Sequence, residues 1–409
     1  MQMEDQKVDW DWVQRITDKI LQLGKIVEIY GEVRETEPLR NYFRNGELMY
    51  DELDTYDGKF TRREIFARYL LLRVVLDQGP DPIGVGKLLK EVATSLYRQE
   101  IRIFHKPLDF FNELKISIDD ILEKHKSIKD IRAEKWAKEN ASSPSKYNLF
   151  FAQSLRGIVP INQVLDYTIH RWGVPLCVPL LLEKDLEKEK KESAQPLVDY
   201  IERFKSAEVM ARQLKDHERY GLGSAIGDKA CHLFAKLYVS VFKLVKKRVN
   251  DIGWTGISYE LPFDSNAGRV LFRTGFLLQW ASLEEYKKWN VIQKEKGKGH
   301  TNYIRVTNIR DKSTARLTPT QDYLILLRDY LKIAEHPQKV KIQHIPNLLL
   351  YKKIKKGEDA SIADFDNGLM YVGTQFCFNR QNPRCEECPL RELCRGYNQD
   401  VALIRDYTT

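Results

Sequence analysis

Long apolar stretches are missing from this chain of 409 residues, and their absence excludes a membrane-spanning helix. The longest apolar stretches are short or contain Lys or Arg, whereas a membrane-spanning helix needs about 20 apolar residues. Glycine (22 residues) and proline (15) are too few for a collagen-like chain, and there is no internal repeat. Six cysteines in a chain of this length also exclude a small disulfide-dense scaffold. The sequence therefore predicts a globular protein without a membrane span.

Composition and length predict a folded protein with more than one domain. Apolar residues make up 43% of the chain and charged residues 30%, so a sizeable core can form and wholesale disorder is excluded. Domains usually contain roughly 100–200 residues, so the chain corresponds to two or three of them. Residues 1–5 are acidic and polar and no apolar signal-peptide core follows them, so we expect an intracellular protein.

Positive charge exceeds negative charge modestly, with 66 Lys and Arg residues against 58 Asp and Glu residues and a formal net charge of +8. The excess is concentrated at 246–248, 294–298 and 352–356, while 47–57 is acidic. A basic face suits a phosphate backbone, because each neutralised phosphate releases counterions. The same lysines also suit an ordinary solvated surface. Charge therefore permits a nucleic-acid partner without identifying one.

Four of the six cysteines lie near the C-terminus in the spacing C-x7-C-x2-C-x5-C, at Cys377, Cys385, Cys388 and Cys394. Four thiolates can hold either zinc or a [4Fe–4S] cluster. Structural zinc sites usually combine two separated pairs of ligands, whereas here three of the four cysteines share one short segment. The spacing therefore favours the [4Fe–4S] cluster. The two remaining cysteines have apolar neighbours and are expected to be ordinary buried thiols.

The motifs around these cysteines are LMYVG at 369–373, NPRCEECPL at 382–390 and LC at 393–394. Together they resemble the cluster loop of endonuclease III and the adenine–DNA glycosylases, which belong to the helix-hairpin-helix DNA glycosylase superfamily. The interval from Cys377 to Cys385 is one residue longer than is usual in that family. We place the extra residue within 378–381.

The resemblance implies a mostly α-helical protein with the two-domain helix-hairpin-helix glycosylase architecture and a C-terminal [4Fe–4S] cluster loop. It places a helical-barrel domain with the helix-hairpin-helix motif at 61–260. A helical iron–sulfur domain would then comprise 1–60 together with 261–409. Because several motif spacings are longer than usual in the family, 282–360 is interpreted as a basic insertion with interleaved aromatic residues, of a kind that reshapes specificity.

Two helices near the N-terminus can be predicted from apolar periodicity. One covers 10–23, and Gly24 is expected to end it. Thr61 is a suitable N-cap for a second, strongly apolar helix that stops at the sequence DQGP, 77–80. In the superfamily a buried helix ends in this way at a glutamine that fills the hole left by an extruded base, and Gln78 resembles it. An ordinary polar residue at a helix end is the alternative.

Three glycines within seven residues, Gly221, Gly223 and Gly227, separate two helical patterns. A glycine-rich turn that opens a helix directs backbone N–H groups outward, which makes a phosphate site. We interpret 220–230 as a helix-hairpin-helix turn that binds the DNA backbone. A tight turn between packed helices that binds nothing is the alternative.

A lysine follows this turn, at a position that is occupied by a lysine in family members with lyase activity. Members with lyase activity carry a lysine two residues after the last hairpin glycine, and Gly227-Asp228-Lys229 resembles that pattern. The resemblance implies that Lys229 is a Schiff-base nucleophile. If Gly221 and Gly223 are instead the hairpin pair, Ala225 takes that place and the lysine is lost.

The segment LPFDSNAGRVLFRTGF at 261–276 resembles the family's Val-Asp-Thr-His-x-x-Arg-Val-x-x-Arg segment. Asp264 matches the aspartate that caps a helix and drives base excision. Arg269 and Arg273 match the two arginines, which we expect to contact DNA, while Asn266 replaces the usual histidine. A helix N-cap without any chemistry is the alternative interpretation of Asp264.

The order of these motifs, from Gln78 through the glycine turn and Asp264 to the cysteine loop, is the order found in the superfamily. It implies a DNA glycosylase that flips a damaged or modified base out of the duplex and cleaves its N-glycosidic bond. An associated AP-lyase activity follows if Lys229 attacks the sugar.

The resemblance also implies a partner and a location. The partner is double-stranded DNA, and Arg384 in the cysteine loop, with Arg380 and Arg391 beside it, is expected at the phosphates. We expect a monomer with no membrane association, in the cytoplasm or nucleoid.

Two other classes of protein remain open. An iron–sulfur nuclease of the RecB-like kind can also end in Cys-x2-Cys-x5-Cys, but it should carry an Asp…Glu-x-Lys metal-binding core on strands, and this chain has no convincing copy. A non-catalytic nucleic-acid-binding iron–sulfur protein would keep the scaffold and bind without cleaving.

Overall fold

The computed structural model describes residues 8–27, 55–56, 59–77, 89, 101–114, 116–119, 169–223, 226–245, 252–296, 302–306, 344–378 and 383–399. These residues are mostly α-helical, which confirms the predicted class. Among them, none of the helices combines the length and the apolarity needed to span a bilayer.

The elements are, in chain order, α1 (Trp10–Ile26), β1 (Thr55–Tyr56), β2 (Phe60–Thr61), α2 (Arg62–Leu76), α3 (Leu108–Leu114), α4 (Ile169–Lys188), α5 (Pro196–Glu202), α6 (Ala207–Asp216), α7 (Asp228–Lys236) with a π-helical turn (Leu237–Val241), a 3-10 turn (Ile252–Trp254), α8 (Ser265–Arg273), a 3-10 turn (Leu277–Gln279), α9 (Leu283–Lys288), β3 (Ile292–Lys296), β4 (Asn302–Val306), α10 (His344–Lys355), α11 (Ile362–Gln375), a 3-10 turn (Arg391–Leu393) and α12 (Arg395–Asn398). β1 pairs antiparallel with β2, and β3 pairs antiparallel with β4.

The chain folds into two compact units. The cysteine-loop unit comprises Met1–Ile29, Lys205–Glu208 and Asn250–Thr409, and the glycine-turn unit comprises Tyr30–Phe204 and Val209–Val249. The assignment of a helical barrel to 61–260 and of an iron–sulfur domain with an insertion at 282–360 to the remainder stays a prediction.

The core of the glycine-turn unit is built around α2. The Thr61 hydroxyl accepts the Glu64 N–H at 3.1 Å, which confirms the predicted N-cap, and every residue of α2 is buried. The buried Glu64 carboxylate accepts Arg68 Nε at 2.8 Å and the backbone N–H groups of Leu197 and Val198 at 3.1 and 3.0 Å. Glu64 therefore fixes the start of α5 against α2. Gln78, the predicted base-replacing residue, lies outside the described residues.

In the cysteine-loop unit, α1 packs against α11 at two glycines. The expectation that Gly24 ends α1 is wrong, because the helix continues to Ile26. A Cβ atom at Gly24 would overlap the carbonyl of Asp364, and one at Gly368 would overlap the carbonyl of Ile20. Because these two residues have no side chain, the two backbones can touch. In the sequence alone, a glycine with this packing role looks the same as a glycine that ends a helix.

This close packing predicts a strong effect of a single methyl group. Gly368→Ala should lower the free energy of unfolding by about 1–3 kcal/mol or more, because the added Cβ meets backbone that cannot rotate away. Gly373→Ala on the same helix should cost less, since its Cβ would stand 3.0 Å from a side-chain atom, Asn266 Cβ. Urea unfolding followed by circular dichroism measures both. Equal midpoints for wild type and Gly368→Ala would show that the helices do not touch as described.

Candidate metal centre and the helix beside it

The four C-terminal cysteines line one cavity in the cysteine-loop unit. Cys377 follows α11, and the other three lie in the loop up to α12. The cavity has about 400 Å³ of empty space, part of it open to solvent. Its other walls are apolar, cationic or hydroxyl-bearing side chains, namely Val270, Arg273, Thr274, Val372, Phe376, Pro383, Leu390, Arg391 and Tyr397.

Short backbone turns bring the cysteines together. The N–H groups of Cys388, Arg391 and Cys394 donate to the carbonyls of Cys385, Cys388 and Arg391, at 3.2, 2.9 and 3.2 Å. Arg384 N–H donates to the Phe376 carbonyl at 2.8 Å and returns the loop to the end of α11. The x2 and x5 spacings are thus the lengths of successive turns around the cavity.

The thiols are hard to ionise in this setting. Burial raises the pKa of Cys388 to about 11 and that of Cys394 to about 12, and it also raises the pKa of Cys385. The neighbouring cysteines add to each of these increases, because thiolates in one cavity repel each other. Holding Cys385, Cys388 and Cys394 together as thiolates therefore requires a cationic centre between them.

The donor set fits an iron–sulfur cluster, since four cysteine thiolates are the usual ligands of [4Fe–4S]. A second observation points to the same kind of occupant. The guanidinium of Arg273 lies at the cavity with 1% of the residue exposed, and its Nε and Nη2 atoms have no hydrogen-bond partner among the described residues. A buried cation suits an anionic group, and a cluster bound by four thiolates is one. Among the described residues, no three His, Cys, Asp or Glu side chains could hold a single metal ion.

Comparison with known families decides the nature of this loop. Residues 380–394 match the model of the iron–sulfur binding domain of endonuclease III. The loop is an iron–sulfur binding loop. The predicted [4Fe–4S] cofactor is confirmed, with Cys385, Cys388 and Cys394 inside the matched stretch. Cys377 precedes that stretch, and its place in the same cavity supports it as the fourth ligand. Comparisons with curated proteins and with solved structures found no match.

Asp264 lies at the start of the helix beside this loop. It is the N-cap of α8, and its Oδ1 accepts the N–H groups of Asn266 at 2.8 Å and Ala267 at 2.9 Å. The carboxylate is half-buried and is stabilised there by the positive end of the helix dipole. Its orientation is therefore fixed by two hydrogen bonds.

Two buried arginines join α8 to the cysteine loop. Arg269 donates from Nε to the Cys377 carbonyl at 2.5 Å and from Nη2 to the Gly373 carbonyl at 2.8 Å and to Asn266 Oδ1 at 2.7 Å. Arg273 donates from Nη1 to the Phe378 carbonyl at 2.6 Å. Both arginines are buried, and their predicted contact with DNA stays a prediction. A DNA contact would require them to leave these partners.

The arginines on the outside of the loop have acidic partners. Arg384 pairs with Glu387, and its guanidinium lies 5.8 Å from the centre of the Phe376 ring. Arg391 pairs with Glu386 at 3.3 Å. All four groups of these pairs are at least 45% exposed, so the arginines can exchange a carboxylate for a phosphate. Their contact with DNA stays a prediction, and Arg380 lies outside the described residues.

The glycine turn has distinct requirements at its three glycines. Gly221 lies beyond the turn that follows α6 and donates its N–H to the His217 carbonyl at 2.8 Å, and a Cβ there would overlap that carbonyl. Gly223 has φ +54°, in the left-handed region that favours glycine. Gly227 is the N-cap of α7, has φ −97° and has open space where a Cβ would stand. Backbone geometry therefore requires glycine at 221, favours it at 223 and does not require it at 227.

Side chains far apart in sequence hold this turn, and sequence reasoning missed them. His217 Nδ1 accepts the N–H groups of Arg219 and Tyr220 at 3.2 and 3.1 Å. Asp185 on α4 binds Arg219 Nη2 at 2.7 Å and the Tyr220 hydroxyl at 2.5 Å, and the hydrogen bond from Arg219 lowers the pKa of Asp185.

The side chain of Lys229, in the first turn of α7, is half-buried. Nearby, Lys215 pairs with Asp228, which raises the pKa of Lys215 even though burial opposes it.

The lysine cluster at 352–356 contains both a buried side chain and exposed side chains. Lys353 is buried between Asp18 and Glu358 and pairs with both carboxylates. Lys352 and Lys355 are exposed and lie over aromatic rings, at 4.8 Å from the centre of Trp10 and 5.1 Å from that of Tyr351. Part of this cluster therefore stabilises the fold, and only part can attract a polyanion.

The cavity predicts that Cys377 is required for the cluster although it lies outside the matched stretch. Cys377→Ala should lose bound iron to the same extent as Cys385→Ala, because either change leaves three protein thiolates. Cys231→Ala is the matched control, since Cys231 is a buried thiol of α7 in the other unit. Iron and acid-labile sulfide per chain are measured after anaerobic purification. A Cys377→Ala protein with the full wild-type iron content would remove Cys377 from the ligand set.

Proposed function

We propose that this protein is a DNA glycosylase that excises a damaged or modified base from double-stranded DNA. One observation carries the proposal. The helix capped by Asp264 is bonded through Arg269 to Cys377, at the edge of the loop that matches the iron–sulfur domain of endonuclease III. A fixed, half-buried carboxylate thus belongs to the same packed structure as a loop of the DNA-repair type.

The proposed chemistry needs a carboxylate at a defined place. Cleavage of an N-glycosidic bond passes through an oxocarbenium-like sugar, whose positive charge a carboxylate can stabilise. The same carboxylate can accept a proton from the attacking nucleophile. Asp264 suits both roles because its two bonds to backbone N–H groups use Oδ1 and hold the carboxyl plane in place.

Access to the sugar requires the nucleotide to leave the duplex, which costs a few kcal/mol. In the proposal, Gln78 partly fills the gap. The turn at Gly221, Gly223 and Gly227 binds the backbone through its N–H groups. Arg384 contributes a phosphate contact on the cysteine-loop unit.

The nucleophile determines whether the enzyme also cleaves the strand. If water attacks, the product is an abasic site. If the Lys229 amine attacks C1′, it displaces the base, and breakage of the C1′–O4′ bond opens the sugar ring to a protonated Schiff base. Loss of a C2′ proton and elimination of the 3′ phosphate then break the strand. The cluster, when bound to the four cysteines, supplies metal–thiolate bonds that cross-link the loop. Arg269 and Arg273 transmit that rigidity to α8.

The alternative of a non-catalytic nucleic-acid-binding protein is favoured by one observation. Both hydrogen bonds of Asp264 Oδ1 are those of an ordinary N-cap. Capping and catalysis must therefore be separated by a substitution that keeps the cap and removes the charge.

Asp264→Asn makes that separation, because asparagine caps helices as well as aspartate does. We expect base release to fall about 10²- to 10⁴-fold, with duplex binding and unfolding midpoint close to wild type. Asp9→Asn is the matched control, since Asp9 caps α1 in the same unit. Base release is measured on a panel of duplex oligonucleotides carrying damaged bases and bulky natural modifications. Wild-type protein that binds these duplexes and releases no base would favour the non-catalytic alternative.

The lyase branch predicts a covalent intermediate at one lysine. Borohydride should trap wild-type protein on a duplex with an abasic site, and Lys229→Ala should abolish the adduct. Lys215→Ala should retain it, because Lys215 is held as a cation by Asp228 and a protonated amine does not attack. No adduct in the wild type would restrict the enzyme to hydrolysis, and an adduct that persists in Lys229→Ala would show that a different amine is the nucleophile.

A further inference from the structure

Arg273 combines full burial with incomplete hydrogen bonding. Only 1% of the residue is exposed, and it lines the cysteine cavity. Nη1 donates to the Phe378 carbonyl at 2.6 Å and lies 3.6 Å from Cys377 Sγ. Nε and Nη2 have no partner among the described residues. The guanidinium therefore has unused donors as well as uncompensated charge.

Such a group is unfavourable unless something anionic faces it. A buried cation loses its hydration, and an unpaired buried donor loses its hydrogen bond to water. Within the described part of the chain, no carboxylate forms an ion pair with Arg273; its hydrogen-bond partners there are a carbonyl and a thiol sulfur. The anionic group within reach is the cysteine set of the cavity.

We propose that Arg273 is the buried counter-cation of the iron–sulfur cluster and raises its reduction potential. Charge and hydrogen bonds to sulfur are the means by which a protein sets this potential. The cluster with four thiolates becomes more negative when it accepts an electron. A fixed positive charge therefore stabilises the reduced form more than the oxidised form. The inference depends on the cluster alone and does not require glycosylase activity.

Arg391 provides a matched comparison within the same cavity wall. It carries the same charge and also lines the cavity, but its side chain is 45% exposed and pairs with Glu386 at 3.3 Å. Solvent and the carboxylate both screen its charge. If burial is what makes Arg273 effective, removing Arg391 must have a much smaller influence on the cluster.

The test measures the midpoint potential of the cluster in the full-length holoprotein by protein-film voltammetry, for Arg273→Met, Arg273→Lys and Arg391→Met. We expect Arg273→Met to shift the one-electron equilibrium at least tenfold toward the oxidised form, which is about 59 mV lower. Arg391→Met should stay near the wild-type potential, and Arg273→Lys should lie between the two because it keeps the charge and loses the planar fork. If Arg273→Met does not load iron, Arg273→Gln replaces it.

A second readout separates this role from simple packing. Arg273→Met should accelerate loss of iron to a chelator several-fold. The urea midpoint of the cluster-free protein should change little, because the substitution removes the unfavourable burial of a cation together with the hydrogen bonds that the cation makes. An Arg273→Met or Arg273→Gln protein with the wild-type potential would overturn the proposal. So would equal shifts for the Arg273 and Arg391 variants.

Discussion

Two buried guanidinium groups, those of Arg269 and Arg273, are the interaction that fixes the position of the cysteine loop against α8. They project from α8 and bind the carbonyls of Gly373, Cys377 and Phe378, where the chain leaves α11. Charged donors to backbone carbonyls are strong and directional, and burial leaves them no water to exchange with. Because Asp264 caps the same helix, the position of its carboxylate and the position of the first cysteine are set by one set of bonds.

The close packing of α1 on α11 supports this interaction from the opposite side. Because residues 24 and 368 are glycines, the two backbones touch. This contact fixes the position of α11 along its axis as far as the start of the loop. Lys353, buried between Asp18 and Glu358, adds an ion-pair connection between α1 and the end of α10. The loop therefore starts from a rigid base, which reduces the entropy lost when four cysteines are gathered around one cofactor.

What could be predicted from the sequence is what depends on neighbours along the chain. The caps at Thr61 and Asp264 and the cysteine spacing are local patterns, and each is found as expected. Gly24 was misinterpreted because the sequence alone does not distinguish a glycine that ends a helix from a glycine that packs against another helix. The interior partners of Arg269 and Arg273, and the support that Asp185 gives the glycine turn, join residues 34 to 108 positions apart. No local pattern specifies such contacts, since the fold alone brings them together.

The distribution of arginines fits two demands that the proposed function makes on one short loop, which are rigidity and contact with a polyanion. Arg269 and Arg273 face inward, where leaving their partners would strand a buried charge. Arg384 and Arg391 face outward and pair with Glu387 and Glu386, and all four side chains are at least 45% exposed. Exposed pairs of this kind contribute little stability, so exchanging a carboxylate for a phosphate costs little. Burial thus divides cations of identical chemistry into those that hold the loop and those that remain available to a nucleic acid.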